Sequence, residues 1–145
     1  MKISKIRDVK TPTRGTARSA GIDFFVPNDY PEVTLLPGKA VLIPTGIKAD
    51  IPTGYMLTAF NKSGVATKQS LIKGAEVCDE DYQGEIHIHL INIGTDPQVI
   101  TPGQKLIQFV LVPVFYDTIE EVPFEELYSV ETERGVGGFG STGTH

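Results

Sequence analysis

Asp79, Glu80 and Asp81 put three carboxylates on consecutive residues, with Tyr82 directly after them and Gly84 two positions further on. Carboxylates this close repel one another, so the cluster must sit where water, a cation or a substrate offsets its charge. A carboxylate in such a place can take a proton from water and act as a general base; a solvated acidic turn is the plainer use of the same residues. The strand that follows decides how firmly the group is held. Ile86, Ile88 and Leu90 alternate with Glu85, His87 and His89, the period of a half-buried strand. The acids are therefore expected at the mouth of a hairpin, with one face of the strand in the core.

Other stretches bring donors and cations. Phe60 to Lys68, which includes Lys62, Ser63 and Gly64, breaks the alternation of its surroundings and reads as one helical turn, a local interruption in a sheet protein. The segment from Glu133 to His145 is rich in glycine and cannot hold a structure by itself. Its closely spaced glycines expose backbone N–H groups that can wrap phosphate oxygens, with Arg134, Ser141 and Thr142 as further donors and Phe139 as a ring to stack on a base. Gly135 to Gly140 has the spacing of a dinucleotide fingerprint, but no helix follows it to receive a pyrophosphate.

The elements that must position these groups are short and β-like. The chain has 145 residues, 40% of them hydrophobic, and a single domain of this size hides roughly two-thirds of the surface its unfolded chain exposes. Fifteen Gly and ten Pro are scattered between short apolar runs, which predicts an all-β protein. Lys2 to Val9 and Ala20 to Val26 read as the first strands. Pro37-Gly38, Pro52-Thr53-Gly54 and Pro102-Gly103 dictate turns, and each is expected to close a hairpin. The last of these strands, Lys105 to Val114, is apolar nearly throughout, as a buried central strand would be. Pro123 to Tyr128 allows one turn of helix.

The net charge of −5 argues against nonspecific binding to duplex nucleic acid or an anionic membrane. The single cysteine, Cys78, excludes an internal disulfide and fits a reducing compartment. No apolar run approaches a membrane span, and the first residues are not followed by a signal-peptide core. A soluble, cytoplasmic protein is expected.

Five stretches, in order, carry a resemblance: Ala20-Gly21-Ile22-Asp23-Phe24; Asn61 to Ala66; Gly74 to Ile86; Gly103 to Gln108; and Arg134 to Gly143. With these motifs at these spacings the sequence resembles the trimeric deoxyuridine triphosphate nucleotidohydrolase (dUTPase) family. The resemblance implies a jelly-roll-like β-barrel over residues 1–130, a flexible lid over 131–145 and a homotrimer with active sites shared between subunits. It implies hydrolysis of dUTP to dUMP and pyrophosphate, with Mg2+ carried mainly by the substrate phosphates, and it names no regulatory partner.

The same resemblance implies a role for each matched residue. Asp79 would be the general base that aims water at the α-phosphorus. Tyr82 would pack under the deoxyribose and exclude a ribose 2'-hydroxyl. The backbone around Val77 and Cys78 would pair with the uracil edge, and Phe139 would stack on the base. Lys62, Ser63, Gly64, Gln108, Arg134, Gly140, Ser141 and Thr142 would bind phosphates, and Asp23 would act through water on the metal shell. Three positions depart from the family pattern: Lys62 stands where Arg is commoner, Lys73 where several members have Asn, and Val136 where a polar residue is common.

Plainer readings stand beside these. His87 and His89 share a strand face without a third ligand in view, so a polar face or subunit contact suffices. Cys78 is a small residue packed beside the base, without a cationic neighbour to make it a nucleophile. Two other functions use the same kind of protein: a dCTP deaminase, which needs a glutamate and water at the pyrimidine C4, and a non-catalytic nucleotide-responsive regulator.

Overall fold

The computed structural model describes residues 1–138. Its elements in chain order are β1 (Lys2–Lys5), β2 (Thr13–Arg14), β3 (Ile22–Phe24), β4 (Val33–Leu35), β5 (Ala40–Pro44), β6 (Ile47–Asp50), β7 (Tyr55–Asn61), α1 (Ser63–Gln69), β8 (Leu71–Lys73), β9 (Val77–Cys78), β10 (His87–Asn92), β11 (Gln98–Ile100), β12 (Ile107–Pro113) and α2 (Phe124–Leu127). They fall into two compact units, the first Met1–Phe115 and the second beginning at Tyr116. The boundary expected after Val130 therefore lies inside the second unit.

The first unit is all-β and jelly-roll-like. Its antiparallel sheets run β1-β6, β5-β10-β8, β11-β4 and β2-β3-β12-β7-β9. The expected central strand is β12: it pairs with β3 on one side and, from Ile107↔Asn61 to Pro113↔Tyr55, with β7 on the other. Phe109 on this strand meets Phe24 with ring centroids 4.5 Å apart and planes tilted by 52°. Such tilted pairs add about 0.5–1.5 kcal/mol beyond their area burial. The alternation of β10 is as the sequence predicts, for Ile86, Ile88 and Leu90 are buried with the core while His87 and His89 stay half-exposed.

The three glycine turns form, but none closes a hairpin. Gly38, Gly54 and Gly103 have positive φ, and Lys39, Tyr55 and Gln104 donate back to Leu36, Pro52 and Thr101. Yet β4 pairs with β11 while β5 pairs with β10; β6 pairs with β1 while β7 pairs with β12 and β9. Each turn thus carries the chain from one sheet to another. Turn residues decide the local reversal, whereas pairing follows from which sheet can bury the apolar face of each strand. The acidic cluster shows the same difference: β9 joins β7 and β10 joins β5 and β8, so Asp79 to Asp81 lie on a crossing between sheets and not at a hairpin mouth.

Two buried polar side chains tie the layers together. Asn92 donates to the Leu35 and Asp96 carbonyls and accepts from the Gly94 N–H; Thr45 donates to the Ile86 carbonyl at 2.7 Å. A buried amide or hydroxyl is tolerated because it is bonded. In the second unit, α2 and a turn at Thr132–Gly135 border a hollow lined by Phe124, Tyr128, Val130 and Val136. Among the described residues no helix is long and apolar enough to cross a membrane.

Candidate active site

β9 is the last strand of the five-stranded sheet, so one of its edges has no strand partner among the described residues. Its register, with Leu57 opposite Cys78 and Thr58 opposite Val77, and the bond from Ala59 N to Glu76 O at 2.8 Å determine which groups face outward. In an antiparallel ladder the bonded and non-bonded pairs alternate. Glu76 and Cys78 are turned to β7, so the N–H and C=O of Val77 point away from it. A cleft of about 180 Å³ runs along this stretch, lined by Ala75 to Asp79, Tyr82, Glu85, His87, His89, Leu42 and Phe109. About 150 Å³ suffices for one benzene-sized ring, so the cleft has room for a single ring of that size.

The turn after Asp79 is braced at several points. Tyr82 N donates to the Asp79 carbonyl at 3.2 Å, and the Tyr82 hydroxyl donates to the Glu85 carbonyl at 2.9 Å. The ring lies over Gly84, where a Cβ would come within 2.3 Å of the Tyr82 hydroxyl; no other residue leaves room for it. Glu85 anchors the far end, accepting from Arg7 Nε at 2.9 Å and Gly46 N at 2.7 Å. Burial pushes the Glu85 carboxyl up, but the bonds from Arg7 and Gly46 outweigh it and hold it below the usual carboxylate range. Asp79 lines the cleft, and among the described residues its carboxylate takes part in no hydrogen bond or ion pair. Burial, with the nearby Asp79 charge, raises the Cys78 thiol, which keeps it protonated and unreactive.

A second cluster is built of charges. Asp23 on β3, 5% exposed, accepts from Lys62 through Oδ1 and from Lys105 through Oδ2 at 3.0 Å. Desolvation raises its carboxyl, and the two ammonium groups lower it further than that, so it sits below its ordinary value. Lys62 precedes α1, whose first turn has neither a side-chain cap nor an acidic residue, leaving the Ser63 and Gly64 amides facing water. Gln108, opposite Asp23 in the register, donates to the Asn61 carbonyl at 2.9 Å. Lys105 was legible only as part of a motif; its pairing with Asp23 joins segments from opposite ends of the first unit, which no local pattern signals.

None of Asp23, Lys62, Ser63, Gly64 or Gln108 lines the cleft shared by Val77, Cys78, Asp79 and Tyr82. One chain thus gathers the expected site residues into two groups. Lys73 pairs with Glu76, and its N–H donates to Asn61 Oδ1 at 2.7 Å. Arg134 and the fully exposed Val136 belong to the second unit. Phe139, Gly140, Ser141 and Thr142 lie outside the described residues. Among the described residues no three His, Cys, Asp or Glu side chains converge on a metal position, so the histidine pair gains no third ligand there.

Fold and cleft define an all-β barrel that presents an unpaired strand edge beside a cleft lined by Asp79. The family model described as dUTPase matches residues 7–143. The chain is 43% identical to the Chlamydia pneumoniae deoxyuridine 5'-triphosphate nucleotidohydrolase, over 91% of this chain and 90% of that protein. It is 39% identical to the human mitochondrial enzyme over 91% of this chain, which spans half the length of the human protein. Among solved structures, a glycine-to-serine point mutant of the Staphylococcus bacteriophage 80alpha dUTPase with dUpNHpp superposes with a TM-score of 0.84 at 24% identity, covering 98% of this chain and 97% of the other. An aspartate-to-asparagine mutant of the dUTPase from phage phi11 of S. aureus, described with a structural Mg(II) ion, gives a TM-score of 0.76 at 24% identity over 86% of this chain and 97% of that one. The chain belongs to the dUTPase family.

Proposed function

We infer that this protein is a dUTP diphosphatase, hydrolysing dUTP to dUMP and pyrophosphate, which limits uracil entry into DNA and supplies dUMP for thymidine nucleotide synthesis. The observation that carries the reading is the pairing, in one cleft, of the outward N–H and C=O of Val77 with the unengaged carboxylate of Asp79. Uracil presents a donor, N3–H, flanked by carbonyl acceptors, and one residue's C=O and N–H match that edge. Cytosine carries an acceptor at N3 and would set two lone pairs against each other. The two cleft glutamates are already engaged, Glu85 by Arg7 and Gly46 and Glu76 by Lys73, which leaves neither free for deamination at C4.

In the reaction Asp79 orients a water and accepts its proton as the water oxygen bonds to the α-phosphorus and the bond to the bridging oxygen of the pyrophosphate breaks. A positioned base of this kind contributes about a hundredfold to ten-thousandfold. Tyr82, pinned by Gly84 and the Glu85 carbonyl, walls the sugar side and leaves no space for a 2'-hydroxyl. Magnesium fits as an ion brought in on the triphosphate, where it neutralises phosphate charge; it usually keeps several waters and takes its other ligands from phosphates. The donor set supports that role and no protein cage, since both Asp23 oxygens are held by lysines. Asp23 would help to hold such an ion through its water shell, with Lys62 released from it to a phosphate.

The separation of the base cleft from the Lys62 cluster supports a homotrimer in which one copy supplies the base end and another the phosphate end. Arg134, Phe139, Gly140, Ser141 and Thr142 then close over the nucleotide as a lid, excluding water. Pyrophosphate release measured across dUTP, dCTP, dTTP and UTP tests the reading: turnover confined to dUTP upholds it, and ammonia release from dCTP sinks it. Ending the chain before Arg134 should leave the barrel folded and nearly abolish turnover; full activity would remove the lid from the mechanism.

A further inference from the structure

Between β8 and β9 the chain turns through Gly74, Ala75 and Glu76, and β10 supports that turn. Ala75 N donates to His89 Nδ1 at 2.9 Å, and Gly74 N donates to the His89 carbonyl at 2.9 Å. A Cβ on Gly74 would lie 2.1 Å from Nδ1, so the backbone closes over the imidazole only because residue 74 has no side chain. Lys73 and Glu76 pair across the same turn. An imidazole nitrogen accepts a hydrogen bond only when it carries no proton, so the ring holds its hydrogen on Nε2. His89 also lines the cleft with Val77, Cys78 and Asp79.

β9 is two residues long and pairs only with β7 among the described residues. Its aim therefore depends on how the preceding turn is held. We propose that His89 is a positioning residue for base recognition: through Ala75 and Gly74 it holds the turn so that the Val77 N–H and C=O meet the pyrimidine edge. The inference rests on the dUTP reading. His89 touches neither the phosphates nor the attacking water, so its loss weakens binding and discrimination and leaves the chemical step alone.

The test compares the full chain with His89→Phe and His89→Gln, which place no acceptor at the Nδ1 position, with His89→Asn, whose amide oxygen falls near it, and with Gly74→Ala. Each is first checked for an unchanged thermal melt, and two acceptor-less variants guard against one failing to fold. Initial rates with dUTP and dCTP should show the KM for dUTP raised about fivefold to tenfold by His89→Phe and by His89→Gln, the dUTP preference narrowed alike, and kcat within about twofold of the parent. Gly74→Ala should repeat this pattern and His89→Asn should restore the parent values. A kcat loss at constant KM, or His89→Asn behaving like His89→Phe, overturns the inference. Absence of dUTP turnover in the parent would sink the functional reading instead; calorimetric titration of the same proteins with dUMP and dCMP then decides the His89 role separately, equal affinities across the set counting against it.

Discussion

Val77 offers the cleft a backbone donor and acceptor from a sheet edge, while Lys62 and Lys105 gather their charge on the carboxylate of Asp23. The first end is braced by hydrogen bonds to Tyr82, Glu85 and His89 and bordered by His87 and His89 on the half-exposed face of β10. The second is a pair of long cationic side chains beside the open first turn of α1. Reading a base requires atoms held to a fraction of an ångström, since one reversed donor decides the outcome. Holding a phosphate requires positive potential that can follow the ligand. On the proposed function, the difference teaches that discrimination and affinity are separately built in this barrel, with Asp79 assigned to the base end where precision is available.

That contrast can be broken at several points. The largest effect is expected from Asp79→Asn, which should retain nucleotide binding and lower turnover by about a hundredfold or more; near-normal kcat in a steady-state assay would take Asp79 out of the base role. Next, Leu90→Ala opens a cavity in the core behind β10 and should cost about 2–5 kcal/mol in urea unfolding, whereas Lys68→Ala at an exposed position of α1 should stay within about 0.5 kcal/mol. Equal losses would deny that the strand carrying His89 is anchored through its core-facing side chains. Smaller again, Lys62→Ala should raise KM by about tenfold for every nucleotide, with an effect that fades as salt rises. A change in base preference there would erase the distinction between the two ends.

The smallest effect is in acid, and it samples both ends. Asp23 and Glu85 each have a carboxyl held below its ordinary value by cationic partners and hydrogen bonds. A depressed folded value means that the stabilisation is fully present above about pH 4, where the unfolded carboxylates are ionised, and is lost as pH falls through the lower folded values. Urea unfolding followed from neutral pH downward should show that loss, and Asp23→Asn or Glu85→Gln should each flatten part of it. A stability that stays level through the acid range would contradict both assignments.

Much of this molecule can be read along the chain because it depends on neighbours in sequence. The two-residue period from Glu85 to Leu90 requires one face in and one face out; glycine after proline demands positive φ; and Asp79, Tyr82 and Gly84 keep their motif spacing wherever the strand goes. Pairing was decided only by the tertiary structure. The Gly38, Gly54 and Gly103 turns join strands of different sheets because each strand is claimed by the surface that can bury its apolar face, and nothing local reveals which surface that is. The same holds for Arg7 on Glu85, Lys105 on Asp23 and the His89 ring under the Ala75 N–H, contacts between residues far apart in sequence. Residue types and their order along the chain set out what chemistry is possible, and closure of the barrel chose which groups hold one another in place, because only packing brings distant segments within the few ångströms over which hydrogen bonds and charges act.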